Sequence, residues 1–383
     1  MTNAKGTLLV VDDELVNQML LASSLKQAGY EVATASDGQE ALRLLRARPF
    51  DVVLLDILMP EMDGYQVLEH MKADEALRSL PVIVISALDD MQSVIRCIEM
   101  GATDYLPKPF NPVLLRARID ASLAAKRLRD QEQAYLQVLK RELELGRQIQ
   151  ADFLPETLPQ PPGWEISALF TPALEVSGDF YDAFVLSDQR VALVIADVCG
   201  KGVGAALFTA LVRSLIRFFA EQVNPCVGDV FDAVSLANNY IARHHGRRGM
   251  MFATVFFGVL DAATGALSYV NAGHPSPIVT GSSGTRDLSS RANPALGLFP
   301  GLEFVRQEAR IEPGETLLTY TDGVTDAYNA EREAFSKDRL LSALEPAAPT
   351  AAALLERVAE RVLAHAAGEG ASDDITMLAV RRA

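Results

Sequence analysis

The sequence predicts a multi-domain chain: an α/β doubly wound unit of five parallel strands, a long linking helix, and an α+β unit of hairpin strands flanked by helices. Three observations predict it. Short apolar runs alternate with amphipathic stretches through roughly the first 125 residues. Between Pro112 and Gly146 neither proline nor glycine interrupts a stretch dense in charge and glutamine. Beyond LPQPPG (Leu158–Gly163) the strand-like runs come as hairpins and the helical segments stand together. At 383 residues the chain is also too long for a single compact core.

The elements follow in order. TLLVV (Thr7–Val11), YEVATA (Tyr30–Ala35), DVVLL (Asp51–Leu55), VIVIS (Val82–Ser86) and DYL (Asp104–Leu106) read as buried parallel strands. Helices begin near Glu14, Asp37, Tyr65, Asp89 and Asn111. In the stretch from Pro112 to Gln150, Leu114, Ala121, Leu128 and Tyr135 recur every seven residues, with Val138 and Leu145 beside them and Glu142 breaking the series. This predicts one long helix that pairs with a second copy as a coiled coil; a helix lying on its own protein is the alternative.

Pro155 and LPQPPG end that helix. VALVIADV (Val191–Val198), FATVFFGVL (Phe252–Leu260), LSYVNAG (Leu267–Gly273), LLTYTDG (Leu317–Gly323) and ITMLAV (Ile375–Val380) read as strands, and the DAATGA turn makes the second and third a hairpin. Two helices are expected near Gly204–Gln222 and Val227–His244. The expected domains are residues 1–125, 126–152 and 153–383.

A net charge of −15 argues against bulk binding to nucleic acid or docking on an anionic membrane. Cys97, Cys199 and Cys226 lack CxxC spacing, so neither a zinc site nor a disulfide framework is indicated. MTNAKGTLLVVDDE lacks a signal-peptide layout, and the run GMMFATVFFGVL falls short of the roughly 18 apolar residues that span a bilayer. A cytoplasmic protein is expected.

Chemistry in a doubly wound sheet collects at the carboxyl ends of the strands. Those ends carry Asp12 and Asp13, then Asp56, Ser86 and Lys108. Three carboxylates in one crevice repel one another unless a divalent cation binds them, and one can then act as nucleophile toward a phosphoryl group. A hydroxyl and an ammonium supply partners for the phosphoryl oxygens. VVDDE, LLDILMPEMDG, VISA and YLPKPF, in this order and spacing, resemble the receiver domain of two-component response regulators from about Thr7 to Ala125. The resemblance implies Asp56 as phosphoacceptor, Asp12 and Asp13 as the acidic pair, and the Leu58 carbonyl as a further Mg²⁺ ligand. It places Ser86 and Lys108 on the phosphoryl group, Tyr105 at the switch position, and a cis bond between Lys108 and Pro109. A sensor histidine kinase or phosphotransfer protein is the implied donor.

VSGDFYDAF (Val176–Phe184) sets Asp179 and Asp182 three residues apart behind a Ser-Gly pair. A solvated turn, a metal site and a nucleotide-cyclase motif are the three readings it allows. IADVCGKG around Asp197, YTDGVTDA around Asp322 and SDDIT around Asp373 and Asp374 add three more acidic clusters, each against an apolar strand or a glycine. So many carboxylates beside buried strands are costly without cations, and all-oxygen ligation favours Mg²⁺ or Mn²⁺. The cyclase reading fails because no Glu-Phe pair follows the aspartates.

LELGRQIQADFLPETLPQPPG, PALEVSGDFYD, ADVCGKG, NAGHPSP, YTDGVTDA and DDIT together resemble the metal-dependent PP2C-like serine/threonine phosphatases, in particular the bacterial SpoIIE and RsbU branch, over Glu142 to Val380. The resemblance implies a PP2C-like β-sandwich flanked by helices and two cations. Asp179, Asp197 with the Val198 carbonyl, Asp322 and Asp373 are the implied ligands, with Asp374 in the adjoining slot. Asp182 either ligates through water or orders its turn; Lys201 either meets a phosphate or is solvated; His274 reads as structural. Gly178, Gly200, Gly202 and Gly323 admit close approach of backbone. Ser177 stands where a glycine is common, which fits only if its φ is not positive.

Both resemblances together imply a response regulator that dephosphorylates a phosphoserine or phosphothreonine protein. The implied substrate is a STAS-type anti-sigma-factor antagonist in a partner-switching circuit. The alternative is a non-catalytic adaptor that binds a sigma factor or anti-sigma factor.

Overall fold

The computed structural model describes residues 4–87, 91–223, 228–245, 251–288, 293–366 and 373–383. It divides into two compact units, Met1–Leu139 and Lys140–Ala383.

In the first unit, strands β1 (Thr7–Val11), β2 (Glu31–Ala35), β3 (Val52–Leu55), β4 (Val82–Ser86) and β5 (Asp104–Pro107) form one parallel sheet in the order β2-β1-β3-β4-β5. Helices α1 (Leu15–Gln27), α2 (Gly38–Ala47), α3 (Gly64–Ala73), α4 (Met91–Glu99) and α5 (Pro112–Phe153) alternate with them. The helix expected near Asp89 begins, among the described residues, at Met91. Local chemistry sets the starts: Asp37 accepts from the Glu40 N–H, and Asp63 forms a capping box with Gln66. Strands buried on both faces read as apolar runs because helices cover each side. Leu21, Leu25, Leu115, Ile119 and Leu123 pack on one face of the sheet; Leu42, Leu45, Leu68, Met71 and Cys97 pack on the other.

Helix α5 runs unbroken for 42 residues. Its buried residues are Leu115, Ile119, Ser122 and Leu123. The heptad positions Leu114, Leu128 and Tyr135 instead face solvent, as do Val138 and Leu145.

The second unit holds two five-stranded sheets. Strands β6 (Trp164–Thr171), β7 (Asp179–Val185), β8 (Val191–Val198), β9 (Ala253–Asp261), β10 (Ala266–Ala272), β11 (Ile278–Gly281), β12 (Gly284–Asp287), β13 (Gln307–Arg310), β14 (Thr316–Tyr320) and β15 (Ile375–Arg382) order as β13-β10-β9-β8-β7 and β12-β11-β14-β15-β6. Neighbours in both are antiparallel. Helices α6 (Val203–Gln222) and α7 (Asp232–His244) cover the first sheet through Phe208, Val212, Ile216, Val234 and Ile241. Helices α8 (Ser336–Leu344) and α9 (Ala351–His365) cover the second through Leu340, Leu354 and Val358. Between the sheets lie Trp164, Ile195, Phe256, Leu317 and Leu378. The arrangement is a helix-covered β-sandwich.

Sequence reading located the central strands and missed β6, β11–β13, α8 and α9. The Asp179 stretch, which is not among the expected strands, is β7. Helix α7 starts at Asp232, and residues 224–227, where its start was expected, lie outside the described residues together with Cys226. Helix α6 is long and apolar enough, by length and composition, to pass as a membrane span; here its apolar face packs into the core.

Candidate functional site

Each unit gathers carboxylates at strand ends. In the first, β1 delivers Asp12 and Asp13 and β3 delivers Asp56, whose N–H donates to the Val11 carbonyl at 2.9 Å. Among the described residues, these three are the carboxylate group whose ligand atoms all lie within 4.8 Å of one another. Asp12 and Asp56 are buried and Asp13 is exposed. Lys108 Nζ donates to Asp12 at 2.7 Å and also to Asp56. Burial pushes the Asp56 carboxyl up, and the Lys108 bond opposes this without cancelling it. For Lys108 the order reverses: burial favours the neutral amine, but the two carboxylates outweigh it and raise the ammonium.

Around this crevice, Ser86 is fully buried at the end of β4, and its carbonyl accepts from the Lys108 N–H at 2.9 Å. Tyr105 pairs with Val84 in the β4–β5 ladder, and the Leu58 N–H reaches Asp56 Oδ1 at 3.3 Å. The Lys108–Pro109 bond is cis. Gly64 is required by contact, because a Cβ there would stand 2.4 Å from the Asp56 carbonyl oxygen. Helix α3 can start against the acidic loop only without that atom.

In the second unit, Asp179 opens β7 and faces Asp197 in the β7–β8 register. Both belong to one sheet. The other sheet supplies Asp322, in the 3-10 turn Asp322–Val324 after β14, and Asp373 and Asp374, just before β15. Thr321 Oγ1 and Thr376 Oγ1 donate to the same oxygen, Asp179 Oδ2, at 2.8 and 2.6 Å. Two buried hydroxyls of one sheet therefore fix a carboxylate of the other. Gly323 lets the turn after β14 approach the loop before β15: a Cβ there would lie 2.0 Å from the Asp374 carbonyl oxygen and 3.4 Å from Asp373 Cβ.

The electrostatics are those of an acidic cluster short of positive charge. Asp179 is pushed well above the usual carboxylate range by burial and by Asp197, against the two threonine bonds. Asp197 is pushed up to about 7 by burial and by the charges of Asp322 and Asp373. Asp322 is raised by burial and then by Asp373. Among the described residues no Lys, Arg or His lies within 4.0 Å of Asp179, Asp197 or Asp322; Lys201 pairs with Asp373 at 3.2 Å. This donor set fits hard divalent cations, whose charge would reverse each upward shift. The cluster is wider than the Asp12 group, since it contains no three carboxylates meeting the 4.8 Å spacing among the described residues.

Two of the expected residues are used otherwise. Asp182 lies an odd number of positions from Asp179, so the strand pleat turns it to the opposite face. There it is almost fully buried and bonds Arg213 of α6 at 2.8 Å and Arg217 at 3.3 Å. The paired aspartates of the sequence are thus separated. Asp374 spends both oxygens on backbone, accepting from the Ala173 N–H at 2.7 Å and the Gly178 N–H at 2.8 Å. His274 is buried with Nδ1 2.9 Å from Thr254 Oγ1, and burial pushes its imidazole down to about 3. Val198 hydrogen-bonds Gly178 across the β7–β8 edge, and its carbonyl would stand 3.0 Å from a Cβ at Gly178.

Sequence reasoning missed Thr321, Thr376, Arg213, Arg217 and Gln150. The two threonines stand inside quoted motifs, beside Asp322 and after Asp374, which is the signal that could have found them.

Residues 187–383 match the family described as Stage II sporulation protein E (SpoIIE), and residues 8–120 match the response regulator receiver domain. Protein IcfG of Synechocystis sp. (strain ATCC 27184 / PCC 6803 / Kazusa) is 44% identical over 263 residues, covering 63% of this chain and 41% of IcfG. The chain thus spans about two fifths of that relative. The fold is similar to the SiaA-PP2C domain of Pseudomonas aeruginosa, with TM-score 0.55 and 22% identity over 65% of this chain and 98% of that one. It is also similar to the SpoIIE PP2C phosphatase domain of Bacillus subtilis, with TM-score 0.50 and 16% identity over 58% and 64%. A receiver domain and a SpoIIE domain in one chain support a response regulator with a SpoIIE-type output. The chain belongs to the SpoIIE family, with a response regulator receiver domain in front of the SpoIIE domain.

Proposed function

We propose that this chain removes phosphate from a phosphoserine or phosphothreonine protein, a STAS-type anti-sigma-factor antagonist, under the control of phosphorylation at Asp56. The observation that carries the reading is the set Asp179, Asp197 and Asp322: carboxylates from two sheets that stay raised although Lys201, paired with Asp373, acts on Asp322. With Asp373 and the Val198 carbonyl they are the residues that would hold two Mn²⁺ or Mg²⁺ ions. When bound, such ions attract a phosphate and make a water acidic enough to attack in line.

The chain's own groups do the rest. Thr321 and Thr376 hold Asp179 in one orientation, so its free oxygen is aimed without reorganisation. Lys201, beside Asp373 and half exposed, is placed to meet a phosphate at the rim. Asp374 braces the loop before β7 and Asp182 anchors α6.

In the receiver, Asp56 is the nucleophile toward a phosphoryl group from a sensor histidine kinase or phosphotransfer protein. Asp12, Asp13, Asp56 and the Leu58 carbonyl hold Mg²⁺ there. Lys108 and Ser86 then meet the phosphoryl oxygens, and Tyr105 reports the change. Residues 1–125 act as input, 126–152 as linker and 153–383 as output. The exposed stripe Leu128, Tyr135, Val138 and Leu145 of α5 supports a homodimer through the linker, in the cytoplasm.

The test is phosphate release from a serine-phosphorylated STAS protein of the same cell, with Mn²⁺ or EDTA, with and without acetyl phosphate. Metal-dependent release that changes with acetyl phosphate supports the reading. Tight binding without release under any condition contradicts it.

A further inference from the structure

We propose that Gln150, in the last turn of α5, is a positioning residue for the aspartate cluster and acts on Asp179 through Ser177. The inference rests on reading Asp179 as a cation ligand. The Gln150 carboxamide makes both bonds that a peptide unit offers: Nε2 donates to the Ser177 carbonyl at 2.6 Å, and Oε1 accepts from the Ser177 N–H at 2.9 Å. Ser177 is fully buried, and its Oγ accepts from the Asp179 N–H at 2.9 Å. The path from linker helix to candidate ligand is therefore two side chains long.

Residues 172–178 carry no helix or strand, and ladder pairing begins only at Asp179. Apart from the Val198 N–H on the Gly178 carbonyl at 3.2 Å, side chains hold this approach to β7. The Gly178 N–H donates to Asp374 Oδ2 at 2.8 Å, and its carbonyl also accepts from Thr209 Oγ1 of α6 at 2.6 Å. Asp374, α6, β8 and α5 thus all restrain the segment, and Gln150 supplies the restraint from α5. Gly146, one turn earlier on α5, lies along the same segment, with a Cβ there standing 3.6 Å from Val176 Cγ1. Just past the helix, Leu154 packs against the core that contains Phe208 and Val212.

The chemistry of the clamp is specific. A carboxamide is neutral and donates and accepts in one plane, so it pairs with a peptide as another peptide does. Glutamate keeps the acceptor and loses the donor; alanine loses both. The serine is a departure from the usual glycine that adds a bond: Ser177 is absent from the non-glycine residues with positive φ, so it sits without strain, and its hydroxyl reaches Asp179. A shift of the last turn of α5 is thereby delivered to Asp179.

The test is Mn²⁺ affinity of the full-length protein, read from the loss of the free-ion EPR signal. Asp13→Asn is present in every arm to suppress the receiver's cation. Gln150→Ala is expected to weaken Mn²⁺ binding about tenfold, as loss of a ligand's supporting bonds does. Gln150→Glu and Ser177→Gly should fall between it and the parent. Mn²⁺ titration of p-nitrophenyl phosphate hydrolysis should shift in parallel, with KM at saturating Mn²⁺ unchanged. Thermal midpoints identify a variant that does not fold; if Gln150→Ala is one, Gln150→Glu and Ser177→Gly decide. Parental affinity in the folded variants overturns the clamp when Asp179→Asn loses Mn²⁺. If Asp179→Asn itself binds Mn²⁺ as the parent does, the reading of Asp179 as a ligand fails instead.

Discussion

Thr376 and Asp179 come from different sheets, 197 residues apart in the chain, and meet through a buried hydrogen bond of 2.6 Å. With Thr321 on the same carboxylate oxygen, the contact joins the two halves of the sandwich at the acidic cluster. Replacing one of the two donors by an isosteric apolar group leaves that oxygen with the other alone, at a cost of about 1 kcal/mol, the net worth of one hydrogen bond. Thr376→Val should therefore lower the thermal midpoint, and should also weaken Mn²⁺ binding because the aim of Asp179 is lost. Calorimetric melting and Mn²⁺ titration check both effects; a variant that melts early yet binds Mn²⁺ as the parent would make the threonine structural only.

The raised aspartates give a pH signature. Asp197, raised to about 7, keeps its proton in the folded state at pH values where the unfolded chain, titrating near the ordinary 3.8, has released it. The folded state then binds more protons than the unfolded one. This contribution is complete below about pH 4 and is lost as pH rises through about 7. In EDTA, the parent should lose more stability from pH 5 to 8 than Asp197→Asn does. Saturating Mn²⁺ should abolish the difference. Denaturant melts across that range check the sign.

Asp182 predicts the opposite behaviour from its neighbour on β7. It is buried against Arg213, whose side chain is 13% exposed, on the face away from Asp179. Asp182→Asn leaves a buried arginine without its counter-charge and should cost about 3–5 kcal/mol of stability. Mn²⁺ affinity of the folded variant should be close to the parent's. A lost cation with an unchanged melt would return Asp182 to the metal site.

Leu128 and Tyr135, each about two thirds exposed on α5, form the seam of the proposed dimer. Leu128→Glu with Tyr135→Glu should convert a dimer to a monomer in sedimentation, since each buries a charge in the seam. An unchanged mass would leave the stripe without its proposed role.

How much of this was legible in the sequence depends on the distance over which each feature is set. Asp12, Asp56 and Lys108 sit directly after apolar runs, and a parallel sheet must bring such ends to one edge, so their meeting followed from local pattern. Asp197, Asp322 and Asp373 also border apolar runs, but their sheets are antiparallel and Asp373 precedes its strand, so the acidic motifs rather than that rule pointed to them. For Asp182 the sequence allows ligation through water or a structural role; the stretch is strand β7, where a period of two parts it from Asp179. Gln150 and the Thr321–Asp179–Thr376 contact leave no periodic trace, because they form only when elements remote in sequence are packed together. Helix α9 does carry a local signal, since Leu354, Leu355, Val358 and Val362 keep helical spacing.

The central claim is that the two-sheet aspartate cluster hydrolyses a phosphorylated serine. It is tested most directly with Asp197→Asn, the residue raised by the three acids Asp322, Asp373 and Asp374 of the opposite sheet. Release of phosphate from a phosphoserine STAS protein should fall at least about 1,000-fold at saturating Mn²⁺, the scale on which loss of a main charge-stabilising group acts. The melt should remain cooperative, and Asp56 should still accept phosphate from acetyl phosphate. Parental turnover in a folded Asp197→Asn would contradict the account.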